Sequence, residues 1–417
     1  MAKDEKRIYV YLSLEDQCDI LVGVLYVLFI KGKEQFSFEY DEEFLSNDFY
    51  RGIMLDPCLS FYKGRQYPSN DSVLFGIFMD SCPDRFGRLL IKRKEALLAA
   101  KEGRKPRKLY ESDYLLNVSD FTRMGSIRFS LDKGKSFVSS EKEMPTPPLA
   151  SLRTLEHASL ALENEKNRNI EKWLRIMLYP GSSLGGARPK ANVIDSNNEL
   201  WIAKFPSRHD EYDYGLWEKI THDLAIQCGI NVPQADLKIF SNYGHTYLVK
   251  RFDRIKEKRR HFSSAMSLLN HVDGDGGSYL EIVSFIRENG SNPKKDLEEL
   301  FRRVAFSIAV SNTDDHLRNH GFILEKDGWA LSPMYDCNPN LYGDFLSLTI
   351  DDVSSLLDFE TLLSTANYYL ISRKDAEEIV IRIKRIVSQN RKEIAICNGA
   401  NKESIEMFAP IFERNNS

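Results

Sequence analysis

The 417-residue sequence has no CxxC pair and no regular cysteine spacing, and its six cysteines (Cys18, Cys58, Cys82, Cys228, Cys337, Cys397) stand far apart. That excludes a disulfide framework and points to reduced thiols in a cytoplasmic protein. Long apolar runs are missing as well. The longest, Ile20 to Ile30, is about half of what a bilayer requires and reads as a buried strand. The opening MAKDEKRIYV has no signal-like apolar region. Nor is there an excess of one charge: 57 basic residues face 61 acidic ones, for a net −4. The chain therefore has no global reason to coat nucleic acid or an anionic membrane, and any DNA contact would be local or made through a partner. No internal repeat is visible.

What is present is the composition of a globular protein long enough for two or three packed units. The first 75 residues alternate strand-like runs (RIYVYLSL, ILVGVLYVLFI, QFSFEY) with polar turns. A helix is expected over about 84–101, with Ser81 near Pro83 as its cap, apolar Phe86, Leu89, Leu90, Leu97 and Leu98, and Gly103 past its end. MGSIRFSL reads as another strand. Residues 134–148 lose hydrophobicity and end in prolines, which places a boundary near 145. Next come a helix (LRTLEHASLALENE), the glycine-containing YPGSSLGGARPK, strands ANVID and ELWIAKFP, the helix GLWEKITHDLAIQCG and the strand HTYLVKRF. From about 253 the pattern turns helical. The divisions expected are 1–145, 146–252 and 253–417. Basic runs at 91–108 and 250–260 read as solvated faces.

The densest polar stretch is SNTDDHLRNHGF at 311–322. It follows a helix that starts with Asn292 as cap and Pro293 at its first position, and buries Leu297, Leu300, Phe301, Val304, Ala305 and Ile308. Asp314 and Asn319 make DxxxxN, the spacing that lets one loop put a base at an acceptor hydroxyl and an amide oxygen on a metal. After a hairpin turn at Lys326-Asp327-Gly328 stands Tyr335-Asp336, where the aspartate could be a second metal ligand. Lys204 sits in the apolar strand WIAKFP, where an ammonium needs an anion, and matches the lysine of a kinase V-A-I-K strand. Glu218 on the following helix could pair with it, and the other reading is a strand-end lysine reaching for water. Gly185 and Gly186 could let backbone amides approach phosphate, with Arg188 and Lys190 nearby, although the segment fails the Walker A pattern. A rival reading takes His316, His320 and Asp314 as zinc ligands; a plain polar turn is another.

Taken together, DSCPDRFGRLL (80–90), FTRMGSIRF (121–129), SSLGGARPK (182–190), AKFP (203–206), VKRFDR (249–254), TDDHLRNHGF (313–322) and LSPMYD (331–336) resemble the HipA family of bacterial serine/threonine kinases, in the family's order. The resemblance implies an α+β, two-lobed protein-kinase-like fold with a β-rich N-terminal subdomain and a helical C-terminal lobe. It implies ATP and Mg²⁺ as cofactors, Asp314 as catalytic base, and Asn319 and Asp336 as metal ligands. Lys204 would meet the ATP phosphates, Lys250, Arg251 and Phe252 would form the adenine hinge, and His316 and Tyr335 would line the nucleotide site. Ser183, with Ser182 as a competitor, would be the autophosphorylated serine. Two residues depart from the pattern: Arg318 stands where the family usually has lysine, and Lys250 where some relatives are acidic. Family members commonly act as toxins, restrained by a helix-turn-helix antitoxin that binds DNA, and phosphorylate a translation protein such as an aminoacyl-tRNA synthetase. No membrane partner is implied. The alternatives are a catalytically silent nucleotide-binding regulator in an antitoxin–DNA complex, and a kinase for a small molecule or lipid head group.

Overall fold

The structure is a computed structural model, and it describes all residues except 1–4, 15–18, 49, 52, 70–71, 135, 141–145, 165–169, 179–187, 257 and 417. The chain forms two compact units, Met1–Arg208 with Lys250–Ser263, and His209–Val249 with Ser264–Ser417. Among the described residues no helix is long and apolar enough to cross a membrane.

In the first unit, strands β1 (Glu5–Leu12), β2 (Ile20–Ile30), β3 (Lys33–Tyr40) and β4 (Ile127–Ser130) form a sheet of order β3-β2-β1-β4. The first-named pairs are antiparallel, with a register shift at Val10/Tyr11. Period-two alternation decides which face is buried: Ile8, Val10 and Leu12 of β1 and Phe36, Phe38 and Tyr40 of β3 all point inward. Phe38, Phe75, Phe78 and Phe129 meet edge-on or tilted, filling that face with aromatic rings.

The expected helix spans Arg85–Lys101, but its cap is Asp84, not Ser81: the Asp84 carboxylate accepts from Gly87 N at 2.6 Å. Its buried stripe is also narrower than expected. Leu89 and Leu98 are exposed, while Phe86, Leu90, Ile91 and Ala99 face inward together with Glu95. Arg104 holds Glu95 there at 2.5 Å, with help from the Arg107 backbone at 2.9 Å. A charged side chain with its partners supplied thus displaces two leucines from the buried face.

The basic run at 250–260 is a solvated face only in part, with Lys256 and Lys258 exposed. Arg251, Arg254 and Arg259 are buried. Asp253 accepts from Arg251 at 2.8 and 2.6 Å, from Arg254 at 2.6 Å and from Gly125 N at 2.8 Å. Other guanidinium hydrogens of Arg251 and Arg254 go to the Thr122, Arg123 and Gly125 carbonyls and to Asn192, and Arg259 donates to Asp120 O at 2.6 Å. Burial alone would raise the Asp253 carboxyl, but the two guanidiniums hold it far below the usual range. Gly125 has φ 71°, and a Cβ there would stand 3.2 Å from Phe262 N, so only glycine fits. Strands β5 (Lys190–Ile194) and β6 (Leu200–Lys204) complete this part of the unit as an antiparallel pair.

The second unit has a hairpin, β7 (Ala235–Ser241) and β8 (Gly244–Lys250), followed by helices. The Pro293–Val310 helix, capped by Asn292 with Pro293 at its start, is buried through Leu297, Leu300, Phe301, Val304, Ala305 and Ile308, as the sequence predicts. It packs against the Tyr279–Asn289, Arg373–Cys397 and Lys402–Asn416 helices. The strands Gly321–Glu325 and Gly328–Leu331 pair around the expected turn.

His261 in the first unit is almost wholly buried, and burial pushes its imidazole from the ordinary 6.5 down to about 3. Between those values the unfolded chain takes up a proton that the folded chain refuses. Stability is therefore complete above pH 6.5 and falls as pH drops toward 3, by about 1.4 kcal/mol per unit. Urea unfolding should show the wild type losing about 1 kcal/mol more than His261→Gln over the first unit of pH below 6.5, where the unfolded imidazole is already half protonated. Equal losses would refute this origin.

Candidate functional site

The Pro293–Val310 helix ends at Ser311, whose backbone is left-handed at φ 55° and ψ 45°. That turn throws the chain out of the helix axis, and the next aspartates take opposite directions. Asp315 points inward and is buried. It accepts from the Tyr279 hydroxyl at 2.6 Å and Ser307 Oγ at 3.0 Å, and its Oδ1 lies 2.9 Å from His320 Nε2. Burial would raise its carboxyl, but His320, Tyr279 and Ser307 hold it below the usual value.

Asp314 points outward, with 81% of its side chain exposed. Its carboxyl is nevertheless raised. The surrounding protein raises it most, the His316 imidazole pulls it back, and the Asp336 and Asp315 carboxylates push it up again. Solvent screens each influence at such a site, so the upward direction is the chemically useful fact. His316 Nε2 lies 3.9 Å from the Asp314 carboxylate, and His316 Nδ1 is buried with no hydrogen-bond partner among the described residues.

Asn319, buried in a short 3-10 turn, donates from Nδ2 to the Asp314 carbonyl at 2.9 Å. This fixes which end of the amide is the donor and presents Oδ1 as an acceptor. Asp336 takes left-handed backbone at φ 57°, a conformation aspartate tolerates better than most residues. Two segments are laced together around it. Asn340 N donates to Ser311 O at 2.9 Å, Asn340 Nδ2 to Thr313 Oγ1 at 2.7 Å, and the Tyr335 hydroxyl to Arg318 O at 2.8 Å. The second unit thus gathers Asp314, His316, Asn319, Tyr335 and Asp336. The two histidines do not converge on a metal: His320 faces Asp315 inside and His316 faces Asp314 outside. Among the described residues no group of three or more histidine, cysteine or acidic side chains is arranged to hold an ion.

The first unit holds the other candidates. Lys204 closes β6, directly across from Lys190 in β5. Lys190 is buried with its ammonium 3.6 Å from Asp84, the same carboxylate that caps the Arg85–Lys101 helix. Lys250 pairs with Glu199 at 2.5 Å, and Arg251 N donates to Leu200 O at 2.9 Å. The Arg251 side chain is wholly engaged in the Asp253 network. Phe252 packs its ring 5.8 Å from Phe262. Ser182, Ser183, Gly185 and Gly186 lie outside the described residues. The spacing of SNTDDHLRNHGF singles out Asp314 and leaves Asp315 as a loop residue, and motif spacing gives Asp84 no role. The signal available for Asp84 is its place directly before the apolar-periodic helix, where an aspartate is a strong cap.

The model of the HipA-like C-terminal domain family matches residues 182–390. A Haemophilus influenzae protein named "Putative kinase" is 28% identical over 178 residues, 37% of this chain and 52% of its own length. "Putative kinase Y4dM" of Sinorhizobium fredii is 29% identical over 155 residues, 33% of this chain and 36% of its own length. The chain thus spans about half and about a third of these curated relatives. Among solved structures, the HipA toxin–antitoxin system of Shewanella oneidensis MR-1, a complex with HipB and operator DNA, contains a similar chain. It is 19% identical, covers 98% of this chain and 96% of its own, and has a TM-score of 0.68. That likeness is one of fold, α+β with a β-rich N-terminal part and a helical C-terminal part. With half of its length matched by the family model, the chain belongs to the HipA-like C-terminal domain family.

Proposed function

We propose that this protein is an ATP- and Mg²⁺-dependent serine/threonine protein kinase of HipA type. The observation that carries the reading is the outward Asp314, raised above its ordinary value, beside an Asn319 amide with its oxygen presented and a neighbouring Asp336. Asp314 takes the proton from the acceptor hydroxyl as that oxygen attacks the γ-phosphorus. His316 beside it tunes its charge. Asn319 Oδ1 and the Asp336 carboxylate are hard oxygen donors, the set Mg²⁺ prefers, and they would hold the ion that neutralises the phosphates. Kinases among the relatives' names support the same class.

In this reading residues 1–145 are a family-specific subdomain, 146–252 carry the phosphate loop and lysine, and 253–417 carry the catalytic loop. Lys204 meets the phosphates while the backbone of Lys250 to Phe252 receives the adenine. Arg251 N is committed to Leu200, so the base must use the other hinge groups. Leu200 and Lys204 are the two ends of β6, roughly 13 Å apart along an extended strand, a separation that suits a base at one end and phosphates at the other. Ser183 is the autophosphorylated serine, and adding a dianion beside the glycines there would repel ATP. By likeness to a HipA–HipB–operator complex, the chain is proposed as a toxin restrained by a helix-turn-helix antitoxin, reaching DNA through it and acting in the cytoplasm on a translation protein.

Incubation with labelled ATP and Mg²⁺, followed by mass spectrometry against the starting mass, should place phosphate on Ser183. Asp314→Ala should lower the transfer rate by about 10²–10⁴-fold while MgATP still raises the melting temperature. Absence of both label and nucleotide stabilisation in the wild type would sink the reading. The pH profile gives an independent check. The base works only when deprotonated, so activity falls as pH drops through the Asp314 value, at a point above the ordinary 3.8. Because His316 lowers that value, His316→Ala should move the acid limb upward; movement downward would remove Asp314 from the base role.

A further inference from the structure

Ser332 to Asn340 belong to no helix or strand, and Asp336 sits in their midst with left-handed backbone at φ 57°. A segment outside the ladders must find partners for its backbone groups elsewhere. Beyond Asp336 this one is slung between two elements. On one side the Thr221 hydroxyl donates to Cys337 O at 2.7 Å and the Tyr212 hydroxyl to Pro339 O at 3.3 Å. On the other, Asn338 N donates to Asn312 Oδ1 at 3.4 Å and Asn340 N to Ser311 O at 2.9 Å. In a trans peptide the C=O and the following N–H point in opposite directions, so the 337–338 and 339–340 units each reach both ways. Before Asp336, Met334 N donates to Asn231 O at 2.8 Å.

Thr221 is the buried member of this set on the Tyr214–Gln227 helix. A threonine inside a helix ordinarily turns its hydroxyl back on the preceding turn. Thr221 Oγ1 does lie 3.0 Å from Trp217 O and from Glu218 O, but it is closer to Cys337 O. A hydroxyl has one hydrogen to donate, and the shortest contact is the one that leaves the helix. The helix itself is anchored. The Trp217 ring stacks on Phe408 with centroids 3.8 Å apart, and Trp217 Nε1 donates to Ser404 Oγ at 2.9 Å. Thr221 is therefore a fixed point from which the chain after Asp336 hangs.

We propose that Thr221 is a positioning residue for Asp336: by holding Cys337 O, its hydroxyl keeps the left-handed turn that presents the Asp336 carboxylate as a metal ligand. The inference rests on the kinase reading and adds to it a residue that acts only through Asp336. Left-handed backbone is disfavoured for a residue with a Cβ and persists where the surrounding structure over-determines it. Mg²⁺ demands near-ideal placement of its oxygen ligands, so a turn that relaxes costs metal binding before it costs the fold. A valine would fill the same space; the hydroxyl serves the carbonyl.

Calorimetry on the full-length protein tests this by binding alone. The non-hydrolysable analogue β,γ-imido-ATP is titrated once with Mg²⁺ and once with EDTA, and the ratio of the two affinities is the gain that the metal supplies. Thr221→Val should lower that gain about tenfold or more and leave the metal-free affinity at the wild-type value. Thr221→Ser, which keeps the hydroxyl, should retain most of the gain, and Asp336→Asn should abolish it. Thr221→Ala reads the same loss if the valine variant does not fold. A wild-type gain in Thr221→Val overturns the proposal. So does a serine variant as weak as the valine one, which would make the methyl responsible, or a metal-free affinity that falls as far as the metal-dependent one. An Asp336→Asn protein with its gain intact removes the metal assignment and the positioning role with it. A wild type that binds no nucleotide takes down the kinase reading itself, so the failures are distinct.

Discussion

A carboxylate carried into a protein interior must meet donors or lose its charge. Asp315 meets three of them, and each comes from a different element: Tyr279 from the start of one helix, Ser307 from the last turn of another, His320 from the entry to the 321–331 hairpin. Satisfying that one buried charge fixes the ends of all three. With Asp315 turned inward, the adjoining Asp314 lies at the surface. Asp314 is thus placed next to a residue whose own side chain is wholly engaged in the packing.

The first unit is organised by the same device. Asp253 collects Arg251, Arg254 and the Gly125 amide, and those arginines reach on to the carbonyls of 122–125. Removing either partner alone would leave an uncompensated buried ion, which costs about 3–5 kcal/mol. The network therefore joins segments more than a hundred residues apart in sequence and holds Lys250 to Phe252 against the start of β6. Arg251, assigned from resemblance to a nucleotide hinge, contributes a structural side chain, and its main-chain N is committed to Leu200 O.

Local patterns were legible where local forces decide. Asn292-Pro293 and the apolar stripe from Leu297 to Ile308 mark a helix because cap, proline and period agree, and the DxxxxN spacing was visible because both residues lie in one loop. The misses have a common cause. Ser81 and Asp84 are both good caps by type, and Asp84 wins since its second role is to face Lys190. Glu95 turns inward and Leu89 outward because Arg104, past the helix end, supplies the charge. The arginines of 250–260 look solvated until the Asp120 and Asp253 carboxylates are placed beside them. In each case the deciding partner is distant in sequence or of the same residue type as its rival.

The segments that give the chain its family resemblance accordingly divide by physical role. FTRMGSIRF and VKRFDR are halves of one buried ionic network, and DSCPDRFGRLL supplies a helix cap that doubles as the counter-charge of Lys190. The Arg123, Arg251, Asp253 and Arg254 side chains of these segments are turned inward and serve the packing. TDDHLRNHGF differs in that its Asp314 carboxylate is turned toward solvent. Asp314 and Asp315 show the contrast within two residues, the outward one raised by crowding and like charge, the inward one lowered by its donors. Motif content therefore identifies the fold through its buried ions, whereas which of two adjacent aspartates faces solvent is decided only where the turn after Ser311 sets one outward and the other against Tyr279 and Ser307.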